Sequence, residues 1–300
     1  MKKYSNIRQS DNWAKYFETF GWKSHRTKNG TNIIYYPTKL GSFVKIQRPP
    51  FETKEDLEEI EKFCRSTHAL FIKLEPCVDQ DKKILEDSGY VISIFPLVPP
   101  SSMFIDLTKS GKKLWNDVSR SGKYSVNRAK REGAETVVYK NPAIEILQEY
   151  FEIEKYTGKL KKFYVQPLKD LLNRHKIFGE KSYLVLVYDK KENLAGGKYY
   201  VADKDTVLYV NGGTSEIGRE SKAGYDLMWE SILYFKKEGY KTLDLDGVDD
   251  ERFPNFTKSW GGFSHFKEKF GGEIIRFPYP YIKYLHPFFR FLSKFLTLPL

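Results

Sequence analysis

The sequence predicts an α/β protein of two consecutive units, each a mixed sheet flanked by helices, and three observations support it. Its 300 residues exceed the size at which one core usually stops growing, so two domains of roughly 130 to 150 residues are expected. Apolar runs rich in β-branched and aromatic residues recur in both halves, with helical stretches between them. Hydrophobic residues make up 40% of the chain, 22 Phe and 21 Tyr among them, which is enough apolar surface for real cores and too much for a disordered chain.

In the first half the strand-like runs lie at 31–36, 69–74, 90–95 and 103–107. Residues 112–132 read as a helix: at 100° per residue Arg120, Lys123, Asn127 and Arg131 fall within an arc of roughly 80°. Leu114, Val118, Val126 and Ala129 lie opposite, and Gly122 threatens the helix's continuity. Asn141-Pro142 marks a domain boundary, because the residue before proline is pushed out of the helical region. The second half repeats the theme with "SYLVLVY" (182–188), "GGKYYVA" (196–202) and "TVLYVN" (206–211), then a helix over 222–238 ended by Gly239, then "KTLDLDG". The domains are therefore expected at 1–142 and 143–277, with 278–300 left over.

That remainder is unusually apolar for a tail. "YIKYLHPFFRFLSKFLTLPL" is too short and too charged to span a bilayer. As a helix from Pro287 onward it puts Arg290 and Lys294 on one face and Phe288, Phe289, Phe291, Leu292, Phe295 and Leu296 over most of the rest. Two readings stand: peripheral contact of 281–300 with lipid headgroups, or a segment folding back on the first domain.

Fifty Lys and Arg against 39 Asp and Glu give a net charge of +11, which favours an anionic partner or serves solubility. Cys64 and Cys77 form no disulfide or zinc pattern and fit a reducing cytosol. "MKKYSNIRQSDNW" lacks an apolar leader, and no run of eighteen apolar residues occurs, so a cytoplasmic chain is expected.

Familiar catalytic signatures are missing: no Walker A loop, no G-x-G-x-x-G after a strand, no G-x-S-x-G, no H-E-x-x-H. Histidines 25, 68, 175, 265 and 286 lack metal-ligand spacing. In "DLDGVDD", Asp244, Asp246, Asp249 and Asp250 either hold Mg²⁺ or stabilise a tight turn; the turn is the simpler account.

Six segments in order carry a resemblance. "SDNWAKYFETFGW", "VKIQRPPF", "MFIDLTKSGKKLW", "YSVNRAKREGAE", "AGYDLMWESILYFKKEGYKTLDLDGVDD" and "HFKEKFGGE" resemble the FemABX family, the aminoacyl-tRNA-dependent peptidyltransferases that build peptidoglycan cross-bridges. The similarity covers about residues 8–277. It implies two tandem GNAT-like acyltransferase domains with a cleft between them for an aminoacyl-tRNA end and a muropeptide precursor, either lipid II or UDP-MurNAc-pentapeptide. It implies no cofactor and no metal, and a monomer is expected, in the cytoplasm or at the inner face of the plasma membrane.

By the same resemblance Phe266 and Lys267 match the family's functional Phe-Lys pair, Asp106 its acidic position in the first domain, and Tyr209 a tyrosine lining the cleft, with Asn211 where the next tyrosine would stand. Lys23 and Arg48 are the candidates for precursor phosphates. The double glycine Gly271-Gly272 lets the chain turn away without a side-chain clash. The implied reaction is aminolysis of an ester, which needs orientation and a stabilised oxyanion rather than ATP.

The chain departs from the pattern at Leu160, where the family shows arginine, with Lys159, Lys161 and Lys162 beside it; at "RGP", here Arg48-Pro49-Pro50; and in having no charged heptad arm, as in the short, single-transfer members. Two other readings keep the residues but change the function: an acyl-CoA-dependent N-acyltransferase, or a non-catalytic RNA- or membrane-binding protein.

Overall fold

The computed structural model describes residues 6–293 and 295, where thirteen strands form two sheets. The six-stranded sheet contains β1 (Lys23–Arg26), β2 (Asn32–Thr38), β3 (Gly41–Gln47), β4 (Ala69–Glu75) and β5 (Val91–Ile92), joined late in the chain by β13 (Tyr281–Tyr284). Its order is β1-β2-β3-β4-β13-β5, with only the β3–β4 pair parallel. The seven-stranded sheet contains β6 (Ser101–Asp106), β7 (Glu135–Lys140), β8 (Ser182–Tyr188), β9 (Leu194–Asp203), β10 (Thr206–Thr214), β11 (Thr242–Gly247) and β12 (Glu273–Arg276). The order here is β12-β6-β11-β10-β9-β8-β7. Strands β7 to β10 form an antiparallel meander, and β11 runs parallel to β10 after a crossover through the helix Ala223–Lys237.

Compact units follow the sheets. One comprises Met103–Asp246 and Gly262–Ile274 together with the segment ending at Ile7; the other comprises Arg8–Ser102, Gly247–Gly261 and the chain from Ile275 onward. Neither boundary falls at Asn141-Pro142, because β7 before it and β8 after it pair with each other in the seven-stranded sheet. Proline there does its local work, ending β7 before the helix Ile144–Lys161, without separating domains.

Both cores grow from inward-facing apolar positions. Strand β4 is buried along its whole length, and Ile33, Val44, Ile46, Ile72 and Leu74 pack with Leu57, Ile60 and Cys64 of the helix Lys54–Ser66. That helix starts in a capping box, Thr53 accepting from the Asp56 amide while Asp56 accepts from that of Thr53. Each fully buried Ile or Leu contributes about 1.5–3 kcal/mol.

The expected helix over 112–132 is two helices, Gly111–Asp117 and Arg120–Arg131. The break is at Val118, whose ψ of 131° is extended, followed by Ser119 as N-cap accepting from the Gly122 amide at 3.1 Å. Gly122 stays helical for a packing reason: a methyl group there would lie 3.0 Å from the Lys269 carbonyl oxygen. Arg120, Asn127 and Arg131 are exposed, Lys123 half-buried, and Val126 and Ala129 buried, as the periodicity requires.

The tail divides. Tyr281–Tyr284 pairs with β4 and β5, so this part folds back on the six-stranded sheet. Pro287–Leu292 is helical, with Phe289 packed against Leu70, Phe71 and Ile282 while Phe288 and Phe291 are exposed. Lys294 and Leu296 lie outside the described residues. No described helix is long and apolar enough to cross a membrane.

Candidate functional site

Strand β9 runs through the middle of the seven-stranded sheet with residues 195–202 buried, and its one charged side chain in that run is Lys198. Opposite it in register is Gly212 of β10. A methyl group on Gly212 would sit 3.1 Å from Lys198 Cγ and 2.6 Å from the Tyr209 hydroxyl, so the missing side chain makes room for both. Lys198 Nζ lies 4.9 Å from the centre of the Tyr209 ring and 4.8 Å from that of Phe266. The second cation is Lys267, whose Nζ is 5.5 Å from the centre of the same Tyr209 ring and 4.8 Å from Phe263.

Lys267 and Phe266 stand on the short helix Gly261–Glu268, pinned from both ends of its loop. Phe266 packs edge-on against Tyr225 and Phe270, and Phe270 is buried. Beyond it Gly271 has φ +74°, and a methyl group there would come 2.3 Å from the Asp117 carbonyl oxygen; at Gly272 it would come 2.9 Å from that of Phe104. The double glycine thus serves a left-handed turn and a close passage along β6.

Electrostatics differentiate the two lysines. Both are about 5–6% exposed. Burial lowers the Lys267 ammonium to about 8, with the carboxylates of Asp246 and Asp244 holding it up. Lys198 falls to about 7, through burial and then through the charge of Lys267. Burial pushes the Tyr209 phenol up, so it is neutral at physiological pH. Asp244 and Asp246 stand on β11 rather than in a turn: Asp246 adopts a left-handed φ of +57°, and its amide donates to Asp244 Oδ1 at 2.8 Å near the end of the strand. Asp250 is occupied elsewhere, paired with Arg252 at 2.7 Å and accepting from Ser101. Among the described residues no group of three or more His, Cys, Asp or Glu is arranged to hold a metal ion.

A β-bulge separates two residues that the sequence grouped together. Tyr209 pairs with Tyr200, but Asn211 pairs with Tyr199, one extra residue having entered β10. Neighbouring residues of β9 face opposite sides, so Tyr209 joins the lysines while Asn211 turns to the helix Ile144–Lys161 and donates to Glu154. Asn211 therefore does not line the lysine cluster.

Other candidates fall as follows. Asp106 ends β6 and accepts from the Thr108 amide and hydroxyl at 3.1 and 2.6 Å, closing a turn. Lys161 and Lys162 are exposed at the end of the helix Ile144–Lys161, Lys162 being its left-handed cap. Lys23 is exposed at the start of β1. Arg48 is buried: its guanidinium donates to the carbonyls of Pro76 and Pro99 at 3.1 and 2.9 Å and lies 3.8 Å over the Phe277 ring. Those contacts tie Arg48 into the six-stranded unit.

That unit instead carries a cavity of about 510 Å³ lined by Trp13, Phe17, Trp22, Phe71, Lys45 and Lys73 among others. Lys45 Nζ sits 3.6 Å from the centre of Phe17 and 3.9 Å from that of Trp22; Lys73 donates to Ser93. Burial lowers both ammonium groups to about 8, against the attraction of buried Glu75. Sequence reasoning passed over Lys45, Lys73 and Lys198, although each is a lysine inside an otherwise apolar strand, a costly placement that marks a site.

Residues 187–297 match the FemAB family. No curated protein matches significantly. Among solved structures, FemX is 16% identical over 98% of this chain and 95% of its own, with a TM-score of 0.82. L-PGS from Bacillus licheniformis is 16% identical over 89% and 85%, with a TM-score of 0.59. A tandem GNAT protein from the clavulanic acid biosynthesis pathway is 11% identical over 85% and 78%, with a TM-score of 0.51. At such identities the likeness is one of fold: two tandem GNAT-like α/β domains with mixed sheets. The longest described helix has 18 residues, so the described chain carries no coiled-coil arm.

Proposed function

Residues 187–297 being FemAB-family sequence on a fold shared with FemX, we propose that the protein is an aminoacyltransferase that moves an amino acid from aminoacyl-tRNA to the stem-peptide amine of a peptidoglycan precursor. The observation that carries this reading is Lys267: a buried cation caged by Tyr209 and Phe263, held up by two aspartates. Attack of an amine on the ester carbonyl puts negative charge on oxygen. A preorganised ammonium in a water-poor cage stabilises that charge by roughly 3–4 kcal/mol, which is roughly 10²–10³ in rate. An ester gives way to an amide, and the sum is downhill without ATP.

The anionic acceptor fits the cavity of the six-stranded unit, where Lys45 and Lys73 offer charge and Trp13, Phe17, Trp22 and Phe71 offer faces for rings and sugars. The exposed cations Arg120, Arg131, Lys161 and Lys162 suit tRNA phosphates. Incubating purified protein with charged tRNA and either precursor form tests this: the muropeptide should gain the mass of one amino acid. Equal turnover without tRNA would refute it.

A further inference from the structure

The proposed transfer leaves one proton unassigned. The acceptor amine arrives as an ammonium, must lose a proton to attack, and the tRNA 3′ oxygen must gain one to leave. His265 does not answer the need, since its side chain is 67% exposed and 3.9 Å from Glu268. Within the cage, however, the two lysines are unequal. Lys267 has Asp244 and Asp246 beside it, whereas Lys198 makes no ion pair and no side-chain hydrogen bond among the described residues; the charge it meets is that of Lys267. Its other neighbours are the rings of Tyr209 and Phe266, with its stem packed over Gly212, where a Cβ would lie 3.1 Å from Lys198 Cγ. Two ammonium groups around one tyrosine repel, and the one without carboxylates gives up its proton first.

We infer that Lys198 is the proton-transfer residue of this site, working beside a Lys267 that stays charged. The inference rests on the aminoacyl-transfer reading. In the forward step the neutral ε-amine of Lys198 takes a proton from the acceptor ammonium; the freed amine forms the C–N bond, and the ester carbonyl electrons move to oxygen under the charge of Lys267. On collapse the C–O bond breaks, and the Lys198 ammonium returns its proton to the departing 3′ oxygen. The attacking nitrogen, cationic since it formed the C–N bond, releases its second proton to water as it becomes the amide. Lys198 ends neutral as it began, and the sum is ammonium plus ester giving amide, 3′ hydroxyl and one proton released to solvent. The burial-lowered affinity of Lys198 for its proton, about 7, matches a group that both accepts and donates near neutrality.

Two measurements on the intact protein test it. In protein labelled with ¹³C at the lysine ε-carbons, the resonance that disappears in Lys198→Met should titrate at about 7, and its midpoint should rise in Lys267→Met. A midpoint of about 10, the ordinary lysine value, overturns the inference. In the transfer assay, Lys198→Arg keeps the charge but supplies no base at neutral pH, so it should lose roughly 10²–10⁴ in rate together with the acidic limb of the pH profile. Full activity in Lys198→Arg reduces Lys198 to a cation and ends the claim. Wild-type protein that titrates at about 7 but transfers nothing sinks the aminoacyl-transfer reading, and this role with it. Transfer with a midpoint of about 10 sinks the proton-transfer role alone.

Discussion

Lys198 and Lys267 hold their ammonium nitrogens 4.9 and 5.5 Å from the centre of a single ring, that of Tyr209. Such a pair costs stability when both are protonated. The folded-state value of Lys198 lies below the unfolded one, so between about 7 and the ordinary lysine value the unfolded chain binds more protons, and stability rises with pH. Lys198→Met should therefore raise the unfolding free energy at pH 7 by on the order of 1–4 kcal/mol, and this advantage should vanish above roughly pH 10. Denaturant titrations at pH 7 and 10 check it; a variant no more stable at pH 7 contradicts the burial argument.

Gly122 sits in a helix, where alanine normally gains about 1 kcal/mol. Here the added methyl meets Val118 at 2.9 Å and the Lys269 carbonyl at 3.0 Å. Gly122→Ala should be net destabilising by about 1–3 kcal/mol in urea unfolding, and it should also weaken transfer, because residue 269 is two positions from Lys267.

For acceptor binding, Lys45 is the cation to remove. Sandwiched between Phe17 and Trp22, it lines the aromatic cavity. Lys45→Met should raise the KM for the precursor about tenfold or more with little change in kcat, and Lys23→Met, an exposed strand end, should change KM less. Steady-state kinetics with each substrate varied separately make the comparison.

Of the segment proposed for membrane contact, Tyr281–Tyr284 is committed to the sheet, which leaves the helix Pro287–Leu292 as the described helix on which to test that proposal. Phe288 and Phe291 are 57% and 60% exposed, and Arg290 lies between them. Co-sedimentation with vesicles of phosphatidylglycerol and phosphatidylcholine should fall severalfold in the double variant Phe288→Ser, Phe291→Ser. Equal sedimentation of the two proteins removes this helix from any role at lipid.

An acyl-CoA donor is the competing chemistry. Calorimetric titration with CoA should give no saturable heat, while a micromolar isotherm would redirect the assignment to N-acylation.

Most strands of the seven-stranded sheet are legible in the sequence, because buried runs such as Ser182–Tyr188 are continuous and β-branched. Lys267 and Tyr209 are legible through the motif resemblance, and they do share one cage. What escapes local reading is long-range: β13 enters a sheet whose other strands lie about 200 residues earlier, and no pattern in "YIKY" announces that partner. Asn211 escapes because a one-residue bulge inverts the faces of β10, and the burial of Arg48 is hidden because a buried guanidinium reads in sequence like an exposed one. Lys198 was overlooked for a different reason: a strand lysine passes for a surface residue until its neighbours are seen to be buried.

Single-turnover transfer from aminoacyl-tRNA, read by mass spectrometry for wild type and Lys267→Met at saturating precursor, tests the central claim most directly. The caged cation predicts a rate lower by roughly 10²–10³ with tRNA affinity unchanged. A Lys267→Met rate within about threefold of wild type would mean that the buried ammonium does not meet the reacting carbonyl.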